Sequence, residues 1–210
     1  MRNLGVGTAA LAINLAATAL GFIIWFTGRR LAPPTRPATR ALLASVSIVA
    51  IALPFAFKGV LGVHRWISVA GLRLHAAAIV APLLVLCVAA AASHRIASAL
   101  AIAATAGIIL ALQPDAAQAT SLAVACAVIL LCTGTRQPRH ALLSAALLVA
   151  IAGASFIRPD ALPPVAHVEQ IFAVVASTGP ARAAMATIAL LLLPLPFFVA
   201  WQRDRRPTAF

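Results

Sequence analysis

The sequence predicts an all-α polytopic membrane protein with about seven transmembrane helices, its N-terminus outside and its C-terminus inside. Three observations carry that prediction. Hydrophobic residues fill 63% of the 210 positions and charged residues only 10%, with a mean hydropathy of +1.03; a soluble domain is about 45–50% apolar and about 25% charged. The apolar residues fall into runs of roughly 17–25, the length a helix needs to cross a hydrocarbon core. The basic residues collect between those runs, more heavily on one set of alternate links, as the positive-inside rule describes. A chain of this length is read as one domain, here a single integral membrane domain over residues 1–210.

Seven segments qualify as spans: 4–27, 39–57, 75–93, 96–112, 119–135, 140–157 and 181–201. The first is too long for the apolar region of a cleavable signal and ends in Gly28-Arg29-Arg30 rather than in small residues, so it is read as a span. A Pro- and Arg-rich link, 28–38, leads to the second. Segment 58–74, KGVLGVHRWISVAGLRL, is too charged to cross. Trp66 and Ile67 beside Lys58, Arg65 and Arg73 predict a stretch lying at the interface, with the indole at headgroup level. The next four spans follow one another through short links. Segment 165–177, VAHVEQIFAVVAS, predicts a short helix that re-enters the bilayer or lies along its surface, stopped by the breaker pair Gly179-Pro180. The last span contains Pro194 and Pro196, which predict a kink; such residues are tolerated where neighbours re-satisfy the freed carbonyls.

Orientation follows from charge. With the N-terminus outside, the inner links hold Arg29, Arg30, Arg36, Arg40, Arg95, Arg136 and Arg139, and the tail adds Arg203, Arg205 and Arg206. The outer side holds only Arg2, Lys58, Arg65, Arg73, Arg158 and Arg182, together with three of the four acids, Asp115, Asp160 and Glu169. The net charge of +12 is spread among apolar spans and forms no continuous patch, which argues against nucleic acid as a partner. Three cysteines, all inside apolar runs, exclude a disulfide-stapled secreted domain and read as small packing residues.

Chemistry is therefore sought on the outer side. Glu169 sits near the start of the short helix, two residues after His167; at helical spacing the two point to different sides. Two readings of Glu169 stay open on the residues alone: a charge favoured by a helix N-terminus, or a general base facing an outer cavity. Asp115 follows Gln113-Pro114 and reads as a turn or N-cap residue. His64, His75 and His167 share the outer side, yet no HExxH, CxxC or close His pair points to a metal. His94 and His140 stand at inner span ends rather than inside facing spans, where a haem would want them. The chain has no Gly-rich phosphate loop and no Ser nucleophile with a base at readable spacing.

Three stretches together resemble the SEDS family, the polytopic FtsW, RodA and SpoVE proteins. Lys58-Gly59, then Arg65-Trp66-Ile67 and Gly71-Leu72-Arg73-Leu74, resembles the outer loop in which a K/N-G-x-x-R-W-I run precedes a QPSE-type helix start. Gln113-Pro114-Asp115, then Ala119-Thr120, resembles the Q-P-D-L-G-T-A run that opens a span. Leu162-Pro163-Pro164-Val165-Ala166-His167-Val168-Glu169, followed by Gln170-Ile171-Phe172-Ala173, resembles the L-P-E-A-H-T-D-F-I-F-A-V-I stretch that bears the family's acid. The likeness covers about residues 39–200. The family has ten spans; matching by motif leaves this chain without one at the N-terminus and two at the C-terminus, which turns an N-in family into an N-out chain.

The resemblance implies a peptidoglycan glycosyltransferase of cell division or cell shape, in the inner membrane of a bacterium, polymerising lipid II or another polyprenyl-linked substrate at the outer face. It implies Glu169 as the catalytic base. Lys58, Arg65, Trp66, Asp115, Arg158, His167 and Arg182 become the substrate-binding set, with the cations on the pyrophosphate. It implies a class B penicillin-binding protein as partner and no organic cofactor, with room for a divalent cation. The chain departs from the family in three ways. His75-Ala76-Ala77-Ala78 replaces the polar Gln-Pro-Ser-Glu start, the acid is Glu169 rather than Asp, and the Gly-rich outer segment before it shrinks to Arg158–Pro164. The alternative readings are a non-catalytic scaffold binding a cell-wall synthesis partner, or a lipid-binding or transport protein.

Overall fold

The computed structural model describes residue 19 and residues 37–69, 72–134, 137–158, 160–163 and 171–192. The span read at 4–27 lies outside the described residues apart from position 19, as do Pro194, Pro196 and the Arg203–Arg206 tail. The chain groups into two units, Ala16–Leu162 and Met1–Leu15 with Pro163–Phe210.

The described part of the first unit is a bundle of five helices: α1 (Pro37–Ala52), α2 (Ala76–Ala92), α3 (Ile96–Leu112), α4 (Ala116–Thr133) and α5 (Pro138–Ser155). They coincide with the apolar runs read at 39–57, 75–93, 96–112, 119–135 and 140–157. A 3-10 turn, Leu53–Ala56, extends α1; Pro54 lacks an N–H and cannot continue the α-helical ladder. Together α1 and this turn, α4 and α5 are long and apolar enough to cross a membrane, whereas α2 and α3 are somewhat shorter apolar helices.

The distribution of side chains supports the membrane character. The buried positions are mostly small and recur at alternating steps of four and three: Ala99, Ala103, Ala106 and Leu110 on α3, Ala119, Ala123, Cys126 and Leu130 on α4, Ala141, Ala145, Leu148 and Ala152 on α5. That period keeps one seam facing a neighbour. Small residues let the helices approach closely, the means by which helices associate where lipid is as apolar as Leu. The large residues point outward instead, among them Leu42, Val46, Ile79, Leu86, Val128 and Leu143. Gly107 and Gly134 mark close approaches between helices. A Cβ at Gly107 would lie 3.2 Å from the Ile151 side chain, and one at Gly134 would run into Ala141. Among the pairings, α4 packs most extensively on α5, α1 on α2, α2 on α3 and α3 on α5.

One part of this unit departs from the all-α expectation. The stretch read as lying at the interface folds into an antiparallel hairpin, β1 (Trp66–Val69) and β2 (Leu72–His75), with Trp66 opposite His75 and Ser68 opposite Arg73. The β-branched Ile67 and Val69 suit strands, and only two residues, Ala70-Gly71, connect them, the length of a tight hairpin. Backbone pairing within the hairpin satisfies polar groups that an irregular segment beside apolar surface would leave unpaired. A smaller turn precedes it: Val60 and Val63 exchange backbone hydrogen bonds of 3.0 and 2.9 Å around Leu61 and Gly62, both at positive φ.

In the second unit, α6 (Ile171–Ser177) packs on α7 (Pro180–Leu192). Gly179 separates them at φ +127°, a conformation that suits glycine, and Pro180 opens α7, where its missing N–H costs nothing. The described helices thus follow the last part of the short helix read at 165–177 and the first part of the span read at 181–201; the rest of both lies outside the described residues.

Candidate functional site

The site is built around the turn Leu112-Gln113-Pro114-Asp115 between α3 and α4. Asp115 is the N-cap of α4: its Oδ1 accepts a hydrogen bond from the Gln118 backbone N–H at 3.2 Å. The side chain is buried, with the residue only 3% exposed, and the positive end of the helix dipole stabilises its charge there. His75, the last residue of β2, is the N-cap of α2; its Nδ1 accepts from the Ala78 N–H at 3.4 Å. An accepting Nδ1 leaves the ring proton on Nε2, and Nε2 lies 3.2 Å from Asp115 Oδ2. The pair is close but poorly aligned, so Oδ2 remains without a hydrogen-bond partner. Trp66 stands edge-on to the His75 ring, centroids 6.1 Å apart at 80°. The ends of α2 and α4 are thereby joined through two capping side chains.

Two guanidinium groups close the other side of the turn. Arg65 donates through Nη2 to the Pro114 carbonyl and to Asp160 Oδ2, the latter at 2.6 Å. Arg158 donates through Nη1 to the Leu112 carbonyl at 2.7 Å. The last carbonyls of α3 carry the negative end of its dipole, so cations are favoured there. Gln113, 1% exposed, points into the bundle and donates from Nε2 to the Ile51 carbonyl at 2.6 Å. Ile51 belongs to the end of α1, where Pro54 removes an amide donor. The turn therefore ties α1, α2, α3 and α4 together. It also leaves two buried polar atoms unpaired, Arg65 Nε and Asp115 Oδ2.

Of the residues that the sequence reading placed in a site, the structure brings Arg65, Trp66, Asp115 and Arg158 to this one turn. Lys58 is exposed in the loop after the 3-10 turn, and Arg182 is exposed on α7 of the other unit. Glu169 and His167 lie outside the described residues. His64 donates from Nδ1 to the Phe57 carbonyl at 3.2 Å rather than joining His75. Among the described residues no three His, Cys, Asp or Glu side chains cluster as a metal site requires. Three members of the turn were not singled out in the sequence as partners: Gln113, Asp160 and, in its capping role, His75. Gln113 carried a signal, a polar amide at the end of an apolar run, where burial demands a partner. Asp160 carried none beyond its charge.

No family model matches this chain, and neither a curated protein nor a solved structure matches it.

Proposed function

We propose that this chain is a SEDS-like membrane protein of bacterial cell-wall synthesis that polymerises lipid II at the outer face of the inner membrane. One observation carries the reading furthest. Arg65-Trp66 and Gln113-Pro114-Asp115 belong to two separate stretches that resemble the family, and Arg65 and Pro114, 49 residues apart, are hydrogen-bonded. Two motifs that meet in space are better explained by a shared site than by two chance likenesses. The third stretch supplies Glu169.

In the proposed reaction an acceptor sugar hydroxyl attacks the anomeric carbon of the donor sugar. The carbon–oxygen bond to pyrophosphate breaks, and undecaprenyl pyrophosphate leaves with the electron pair. The Glu169 carboxylate takes the hydroxyl proton. Arg65 and Arg158, with Lys58 and Arg182, pair the pyrophosphate; a guanidinium has five N–H donors, and the turn uses only part of that capacity. Trp66, Asp115 and His167 complete the substrate set. A class B penicillin-binding protein is the proposed partner. Incubation of purified protein with lipid II, with and without such a partner, should yield glycan strands.

A second reading has its own observation. Ala76 and Ala77, which stand where the family has a polar helix start, are 3% and 2% exposed and are packed as core. A helix start closed in this way favours a non-catalytic scaffold that binds a cell-wall synthesis partner. Absence of polymer under every partner condition, with the partner still captured, would decide for the scaffold.

The proposed topology is seven spans with the N-terminus outside and the C-terminus inside. A single cysteine introduced at Asp160, in a variant lacking Cys87, Cys126 and Cys132, should react with an impermeant maleimide on intact spheroplasts. Reaction only after lysis would invert the orientation.

A further inference from the structure

The opposite end of the first unit carries a second polar region, unconnected with the turn at 112–115. There α2 ends, α3 begins, α4 ends and α5 begins. A cavity of about 650 Å³ opens between these four ends, lined on its polar side by His94, Arg95, Gln137 and His140. A second cavity, about 430 Å³, adjoins it and shares His94 and Arg95. Its wall is mostly apolar, formed by Ala41 of α1, Cys87 and Ala91 of α2 and Ile102 of α3, and Arg40 also lines it. Arg40 is held there by a 3.3 Å hydrogen bond from Nη1 to the Ala90 carbonyl. Among the described residues lining the two cavities, none is acidic.

We infer that this paired cavity binds one anionic phospholipid, its phosphate beside Arg95 and Arg40 and an acyl chain along the apolar groove between α1, α2 and α3. The match is of both shape and charge: a polar compartment holding the Arg95 guanidinium continues into an apolar one that Arg40 also lines, which fits an amphiphile with an anionic head. Depth agrees as well. The 17 residues of α2 rise about 25 Å at 1.5 Å each, close to the roughly 30 Å of a hydrocarbon core, so this end meets a headgroup layer when the other does. The first turns of α3 and α5 add to the attraction. The N-cap residues Arg95 and Gln137 make no side-chain capping bond, so amide N–H groups there remain for an acceptor. Guanidinium groups suit a phosphate because they can grip two oxygens at once. The inference stands on the membrane character of the fold and does not depend on the glycosyltransferase reading.

Native mass spectrometry of the delipidated full chain in detergent tests it, with dioctanoyl phosphatidylglycerol, dioctanoyl phosphatidylcholine and inorganic phosphate as probes. One phosphatidylglycerol should bind, and phosphatidylcholine should bind about tenfold more weakly, because it keeps the phosphate but brings a quaternary ammonium close to the Arg95 and Arg40 guanidinium groups, a like-charge juxtaposition. Arg95→Ala with Arg40→Ala should lower phosphatidylglycerol affinity by at least about tenfold. Arg73→Ala, an exposed change in the hairpin, should leave it unaltered. Ala91→Leu should weaken phosphatidylglycerol by filling the groove. Inorganic phosphate should compete only poorly, because it lacks the chain. Equal affinity for the two lipids, or unchanged phosphatidylglycerol binding by a folded double variant, would overturn the inference. Full competition by inorganic phosphate would do so too, leaving an anion site without a lipid groove.

Discussion

Glu169→Gln is expected to abolish lipid II polymerisation while leaving the melting temperature in detergent unchanged. The amide keeps the shape of the side chain but cannot take a proton. A positioned general base contributes about 10²–10⁴-fold to rate, so the residual activity should fall below detection in a gel assay of glycan strands. Glu169→Asp probes the same atom differently. It shortens the side chain by one methylene and restores the acid of the SEDS pattern. A displacement of about 1 Å can change a rate by about 100-fold, so this variant should move activity by a comparable factor, upward if the site keeps the family's geometry. Full activity in Glu169→Gln would remove the base assignment. An inactive wild type that Glu169→Asp does not rescue would shift the weight to the scaffold reading, with Ala76 and Ala77 as the explanation.

The second large effect is on stability, at Gln113. Its amide is buried and donates to the Ile51 carbonyl at 2.6 Å across the bundle. Gln113→Leu keeps the volume and removes the donor, leaving a buried carbonyl at the end of α1 without this partner. A buried polar group left unsatisfied costs about 1–3 kcal/mol, and the cost rises toward several kcal/mol where no water can reach it. We expect a loss of about 2–3 kcal/mol in reversible unfolding, well above the shift of Arg73→Ala. Gln113→Glu should be at least as damaging, since a carboxylate cannot donate to a carbonyl. A Gln113→Leu protein as stable as wild type would mean that α1 and α3 are held by apolar packing alone.

The helices of the first unit were legible because each is a continuous apolar run of nearly constant length, and in a membrane that length and composition need no tertiary context to be read. Asp115 was legible as a turn or cap residue for a similar reason: Gln-Pro-Asp before an apolar run is a local signal. The hairpin at 66–75 was not. Weighed by charge and length, the segment showed only that it could not cross, and the pairing of Trp66 with His75 turned on the β-branched Ile67 and Val69 of β1 being followed by a two-residue connection to β2. The roles of Arg65 and Arg158 were half legible. Their position on the expected outer side followed from the spans, but their hydrogen bonds to the turn carbonyls did not.

The sequence by itself determined that most of this chain is apolar helix, where those helices begin and end within a few residues, and which links carry the charge. These properties are written in contiguous residues, since helix formation satisfies the backbone within its own segment. Only the tertiary structure decided which distant groups meet. Arg65 finds Asp160 across 95 positions and Gln113 finds Ile51 across 62. A guanidinium or an amide can satisfy itself on any carbonyl or carboxylate of the right geometry, so its partner is chosen by how the small-residue seams of the helices dock. The same docking sets the cavity beside Arg95 and Arg40, which no run of residues announces.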